Sequence, residues 1–392
     1  MNRIIFILFL FLSNCYLINK TPEKNNNLVV LALLSLNNTS YNWNLPQGFP
    51  TPIVPNENPM TEAKVNLGRF LFYEKKLSNN QTQSCASCHI QSIAFSDGIA
   101  VGVGSTGEFH PRNSQQLVNV AYLPKLTWSN NNLNTIEQQV RLPLFGDNPI
   151  ELGISGETAT NRLKADSRYT DLFNKAFGGT IDEQNIRYAL SAFSRTLISG
   201  NSAYDKYVTQ KIPSAMTASQ IRGMNIFNGE VAECFHCHGG FNFSDSTTHT
   251  GAVLNVTQYH DNGNKSTTEY NALSENKRGL YELTKKTSDI GRFRAPSLRN
   301  IALTYPYMHD GSFDCSPANK GTLGVYSDAC ATEALGKVID HYTSGGKTPS
   351  NKDTGFIRPF SLTTGERTDL INFLKSLTDE DFLKNQKFSS PF

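Results

Sequence analysis

Two short stretches, QSCASCHI at residues 83–90 and ECFHCHGG at residues 233–240, decide how this chain is read. Each contains C-x-x-C-H: Cys85, Cys88 and His89 in the first, Cys234, Cys237 and His238 in the second. Two thiols at this spacing can form thioethers with the vinyl groups of a haem while the adjacent imidazole reaches the iron. A zinc site would need both CxxC pairs to close on one metal, and here the pairs lie far apart, each with its own histidine. The reading is therefore two covalently bound haem c groups with His89 and His238 as axial iron ligands. A sixth protein ligand on an iron makes an electron carrier, whereas an open position makes an enzyme.

Working outward, the flanking segments read as helices. Ala63, Leu67, Phe70 and Leu71 share a face behind a start at Thr61. Ile186, Leu190, Phe193 and Leu197 repeat the pattern between Asp182 and Gly200. Thr217 with Gln220 forms a capping box for a helix bearing Ile221, Met224 and Phe227, which leads into the second motif. Leu335, Val338, Ile339 and Tyr342 share a face, and Thr363 with Glu366 caps a last helix carrying Leu370, Phe373, Leu374 and Leu377. Strand signals are sparse, so the fold class is mainly α, with two c-type cytochrome domains. The boundary is expected near Lys211 to Ala215, giving an N-terminal haem domain over 51–213 and a C-terminal one over 214–392.

The 392 residues are enough for two domains, and 38% hydrophobic with 18% charged residues is an ordinary globular composition. A net charge of +2 with no long single-sign run removes the electrostatic case for nucleic acid. Arg3 precedes an apolar run from Ile4 to Leu12 that is too short to span a bilayer and has the shape of an export signal over residues 1–15. Leu12, Ser13, Asn14 and Cys15 resemble a bacterial lipobox, so Cys15 is expected to carry lipid; a simple cleaved signal that discards Cys15 is the alternative. Residues 16–50, rich in Asn, Ser and Thr, then read as a tether. Cys315 and Cys330 remain of the seven cysteines, and an oxidising compartment would let them form a disulfide that staples a surface insertion.

Four stretches resemble the bacterial dihaem cytochrome c peroxidase family, including the MauG-like branch that matures a tryptophylquinone cofactor. They are LGRFLFYEKKLSNNQTQSCASCH (67–89), FSRTLISGNSAYDKY (193–207), GMNIFNGEVAECFHCHGGFNFSD (223–245) and FRAPSLRNIALTYPYMHDGSF (293–313), in the family's order. The resemblance implies that peroxide reacts at the N-terminal haem and that the C-terminal haem accepts electrons. It matches the family's distal residues to Gln139, Pro143 and Glu151 within IEQQVRLPLFGDNPIEL, with two extra residues before Glu151. A carboxylate there can shuttle a proton between the oxygens of a peroxide. His110 is read as an ordinary loop histidine, leaving an open iron that needs no prior reduction; capping of that iron by His110 is the alternative.

For the second haem the resemblance matches Tyr342 to the sixth ligand, with Met308 as a chemical rival and His309 beside the haem without ligating it. A thioether raises a haem potential, while a phenolate favours oxidised iron. Trp128 matches an electron relay between the haems, although WSNNN lacks the arginine of the family's segment. Asn113, Thr304 and Pro306 match ligands of one interdomain calcium ion, all of them hard oxygen donors. The implied function is reduction of hydrogen peroxide with electrons from a small periplasmic cytochrome c or copper protein, in a protein that faces the periplasm and is attached to membrane only by lipid. A homodimer, common in the family, is among the assemblies this allows. Two other functions stay open: oxidation of a protein or organic substrate, which Tyr342 favours, and electron carriage with both irons closed.

Overall fold

The computed structural model describes residues 39–253 and 257–392, so the export signal read at Arg3 to Cys15 lies outside the described residues. The described chain is mainly helical, with one two-stranded antiparallel ribbon, Tyr259–His260 against Phe293–Arg294. Six of its helices have ten residues or more: α1 (Glu62–Tyr73), α2 (Ser167–Phe177), α3 (Glu183–Arg195), α4 (Ala218–Phe227), α5 (Asp328–Thr343) and α6 (Thr364–Lys375). None of the described helices is long and apolar enough to cross a membrane.

Local chemistry explains where they start. The Thr61 side chain accepts from the Lys64 N–H at the head of α1, which satisfies one of the donors a helix start leaves free. Thr217 and Gln220 form a reciprocal capping box on α4, as do Thr363 and Glu366 on α6.

The two halves are each organised around one close helix crossing. A Cβ on Gly68 of α1 would stand 2.0 Å from the Ala189 carbonyl oxygen of α3, and one on Gly223 of α4 would stand 1.9 Å from the Asp369 carbonyl oxygen of α6. Only glycine lets the backbones approach this far. Around the first crossing Leu67, Phe72, Phe173 and Phe193 make one core; around the second Phe227, Leu335, Ile339 and Phe373 make another. Burying each such side chain contributes about 1.5–3 kcal/mol. The end of the chain crosses back, with Phe382 and Phe388 in the first core and the Tyr73 hydroxyl donating to the Phe388 carbonyl at 2.6 Å.

Polar locks join the halves. Asp379 Oδ2 accepts from the Ser199 hydroxyl and from the Gly200 and Asn201 N–H groups at 2.9–3.0 Å. Arg299 and Asp205 form a buried bidentate pair at 2.9 and 3.0 Å. Residues 39–50, the end of the expected tether, are instead held on the fold: the Tyr41 N–H donates to Met60, Ser40 bridges Thr61, and Phe49 packs on Tyr122 and Phe241. Aromatic burial at Phe49 outweighs the polar composition that suggested a free tether. Cys315 and Cys330 are joined in a disulfide. The loop it closes reaches the first motif, where the Ser92 hydroxyl donates to the Gly324 carbonyl at 2.6 Å.

Candidate functional site

Both C-x-x-C-H motifs coil into one helical turn, Cys85–Cys88 and Phe235–His238, and each presents its histidine in the same manner. The His89 Nδ1 lies 2.8 Å from the Phe95 carbonyl oxygen. The His238 Nδ1 lies 3.2 Å from the Phe243 oxygen and 3.1 Å from that of Pro296. A carbonyl can only accept, so Nδ1 carries the proton and Nε2 is left as the metal donor, the arrangement that orients ligating histidines. Phe95 and Phe243 hold left-handed backbones, φ 59° and 50°, at about 1–3 kcal/mol each. This strain aims the carbonyls. The four motif thiols form no disulfide and remain available for thioethers. The residues present thus fit two haem c groups.

At the first motif the loop after Pro143 folds back so that the Leu152 N–H donates to the Pro143 carbonyl at 2.9 Å, which sets Glu151 beside Pro143. The Glu151 carboxyl lies near enough to Cys85 and Cys88 to act on both thiols. Although 35% of its side-chain surface is open, its carboxyl is desolvated enough that its pKa rises to about 7. Gln139 ends a helical turn, Ile136–Gln139, and its Oε1 is buried without a hydrogen-bond partner. That turn is pinned by Glu137, which is buried and takes two bonds from Arg195 at 2.9 and 3.0 Å and one from Asn58 at 2.8 Å. Sequence reasoning passed over Glu137 and Arg195 because their pairing spans 58 residues.

His110, read from sequence as an ordinary loop residue, comes to 3.9 Å from Glu151 and is close enough to His89 to act on its protonation. Burial lowers the His110 pKa. The first site therefore brings together His89, Glu151, His110 and Pro143, with the Gln139 turn alongside.

The second motif opens on a cavity lined by Cys234, Cys237, His238, Tyr342, Met308 and Trp128. Tyr342 comes from α5, and its hydroxyl accepts from Asn262 Nδ2 at 3.1 Å. The same nitrogen lies 3.4 Å from Met308 Sδ, so both candidate ligands share one amide. Burial pushes the Tyr342 pKa up to about 12. His309 stacks on Phe293 with ring centroids 3.6 Å apart, its Nε2 is buried without a partner, and burial holds its pKa down at about 3.

Trp128 lines this second cavity. Its Nε1 donates to the Asn113 carbonyl at 2.8 Å, and its ring packs with Tyr270 and Phe293. The guanidinium missing from its own segment arrives from far along the chain: Arg294 donates through Nε to the Thr127 carbonyl at 3.2 Å and through its backbone N–H to the Trp128 carbonyl at 2.8 Å. Asn113, Thr304 and Pro306 line the same cavity. The Asn113 amide nitrogen is committed to the Ile99 and Ala100 carbonyls at 2.8 and 3.2 Å, which leaves its oxygen as the donor a calcium ion would take. Asp314, Cys315 and Cys330 also cluster, but the disulfide occupies both sulfurs.

Residues 62–212 match the family model described as di-haem cytochrome c peroxidase. The cytochrome-c peroxidase IdrP1 of Pseudomonas sp. (strain SCT) is 31% identical over 344 residues, covering 84% of each chain. The methylamine utilization protein MauG of Methylorubrum extorquens is 33% identical over 338 residues, covering 86% of this chain and 83% of that one. Among solved structures, a MauG-like protein associated with microbial copper homeostasis is similar with a TM-score of 0.81 and 39% identity, over 90% of this chain and 99% of that one.

Proposed function

The chain belongs to the di-haem cytochrome c peroxidase family and is a peroxidase-type oxidoreductase, and from that premise we propose that it reduces hydrogen peroxide to water with electrons from a small periplasmic cytochrome c or copper protein. The observation that carries this reading is the desolvated Glu151 carboxyl, poised near pH 7 between His110 and the first motif. Haem held by Cys85, Cys88 and His89 would supply the iron at which the O–O bond is reduced. Glu151 takes the proton from one peroxide oxygen and returns it to the other, which becomes water; two electrons and two protons complete the second water. A base with a pKa near the working pH is suited to both halves of this transfer. The Gln139 Oε1, buried without a partner, is available to accept a hydrogen bond from the substrate. Pro143 closes the wall beside Glu151.

Cys234, Cys237 and His238 would hold the haem that accepts electrons, with Tyr342 as the further residue that would ligate its iron and His309 alongside. Trp128, its indole fixed by the Asn113 carbonyl, would be the residue that relays electrons between the two. Asn113, Thr304 and Pro306 would hold one calcium ion. Export, with Cys15 lipidated, puts the protein on the periplasmic side. Low-temperature electron paramagnetic resonance of the ferric protein is expected to give one high-spin signal; two low-spin signals would remove the peroxidase reading. So would steady-state peroxide turnover no faster than free haem. Tyr342 favours a second reading, oxidation of a protein or organic substrate, because a phenolate ligand stabilises oxidised iron. The similarity to MauG-like proteins supports it.

A further inference from the structure

A histidine clamped by two carboxylates beside the second motif has no part in the chemistry above. His260 stands on the ribbon strand Tyr259–His260, with Nε2 2.7 Å from Asp245 Oδ2 and Nδ1 2.8 Å from Asp353 Oδ2. Carboxylates only accept, so both bonds form only when both nitrogens carry protons and the ring is an imidazolium. Burial pulls its pKa down, but the bonds to Asp245 and Asp353, together with the neighbouring Cys237, outweigh that and raise it above the ordinary imidazole range. The three side chains are 12–17% exposed. The clamp adjoins the haem attachment: the Asp245 N–H donates to the Cys237 carbonyl at 2.8 Å, and the His260 ring interacts with the Cys237 sulfur. Arg292 reaches Asp353 Oδ1 at 3.2 Å, whereas Asp245 Oδ1 is buried without a partner. Asp261, the next residue after His260, is a further buried acid.

We propose that His260, Asp245 and Asp353 form a fixed-charge clamp that sets the redox potential of the haem carried by Cys234, Cys237 and His238. Desolvated charges act strongly on a neighbouring redox centre, and a cation favours its reduced state while an anion favours its oxidised state. The clamp holds the positive ring against the attachment sulfur, and with Arg292 beside Asp353 the two cations balance the two carboxylates. This inference rests on the haem reading of the second motif.

The test is a spectroelectrochemical titration of the second haem in the intact holoprotein and its variants. His260→Gln should lower the potential, with about a tenfold fall in the reduced-to-oxidised ratio at fixed poise, ~59 mV for one electron. Asp353→Asn and Asp245→Asn should each raise it. A packing defect would not reverse sign with the charge removed, and the two Asn variants carry the test if His260→Gln does not fold. Potentials that stay put, or that all move the same way, with two haems c present by pyridine haemochrome, overturn the clamp alone. A wild-type protein with a single haem c overturns the reading of the second motif and the clamp with it.

Discussion

The two haem motifs hold their histidines alike and differ in everything that faces them. At each, a strained phenylalanine, Phe95 or Phe243, turns its carbonyl onto the imidazole Nδ1, and a glycine-mediated helix crossing lies behind. In front of the first stand a carboxyl and a histidine, Glu151 and His110, 3.9 Å apart. In front of the second stand a phenol and a thioether, Tyr342 and Met308, sharing the Asn262 amide. The repeated parts build a holder for a cofactor. What differs is the set of parts that are not repeated: a carboxyl and an imidazole on one side, a phenol and a thioether on the other.

Glu151→Gln strikes at that difference most directly. The amide keeps the shape and removes the base, so kcat/KM for peroxide should fall by about 10²–10⁴-fold with both haem spectra intact. Wild-type kcat/KM should rise with pH through an apparent pKa of about 7, because the carboxyl acts as a base only when ionised. The variant should lose that limb; a limb that survives would place the base elsewhere. Stability has the opposite sign. A carboxyl whose folded pKa is raised from 4.5 to about 7 binds its proton more tightly when folded, so its contribution falls as pH climbs through that window.

The disulfide tests whether the halves are independent. It belongs to the second half in sequence, yet its loop seats on Ser92 at the first motif. Loop entropy for its 15-residue separation corresponds to about 3 kcal/mol. Replacing Cys315 and Cys330 by serine should lower the thermal midpoint, and the first haem's spectrum should change with it. A first haem that is indifferent to the change would mean that the Gly324 contact is incidental.

The glycine crossings allow a matched pair of changes. Gly68→Ala and Gly223→Ala each force a methyl against a backbone oxygen about 2 Å away, and overpacking of this kind costs about 1–3 kcal/mol. Each should destabilise its own core first, seen as selective loss of the native spectrum of the first or the second haem on heating. Equal loss of both would show that the halves unfold as one unit.

The repeated parts were legible in the sequence, because C-x-x-C-H, helix periodicity and the Thr217–Gln220 box are all local. Trp128 and Glu151 were reached only through resemblance, since neither has a local signature. The approach of His110 to Glu151 had no local signature either, for the two lie in separate loops that only the fold brings together. Asn262, Arg294 and the His260 clamp left no trace in local pattern, for Tyr342, Thr127 and Asp353, to which they bond, lie 80, 167 and 93 residues away. What the chain spells locally is how to hold haem; what faces each motif is assembled from distant segments.

Tyr342→Phe has the smallest energetic effect and bears on the second half of the comparison. The hydroxyl accepts one hydrogen bond, from Asn262, and losing such a bond costs about 1 kcal/mol, so folding should be nearly unchanged. If the oxygen also ligates iron, its removal changes the second haem's low-spin spectrum and leaves the first haem's signals alone. Met308, which already shares the Asn262 amide, is the residue placed to take over, and a thioether ligand would raise the potential. A spectrum identical to that of the parent protein would mean that Tyr342 is only a wall of the cavity. The second haem would then owe its character to Met308, and the oxidase reading would lose its support.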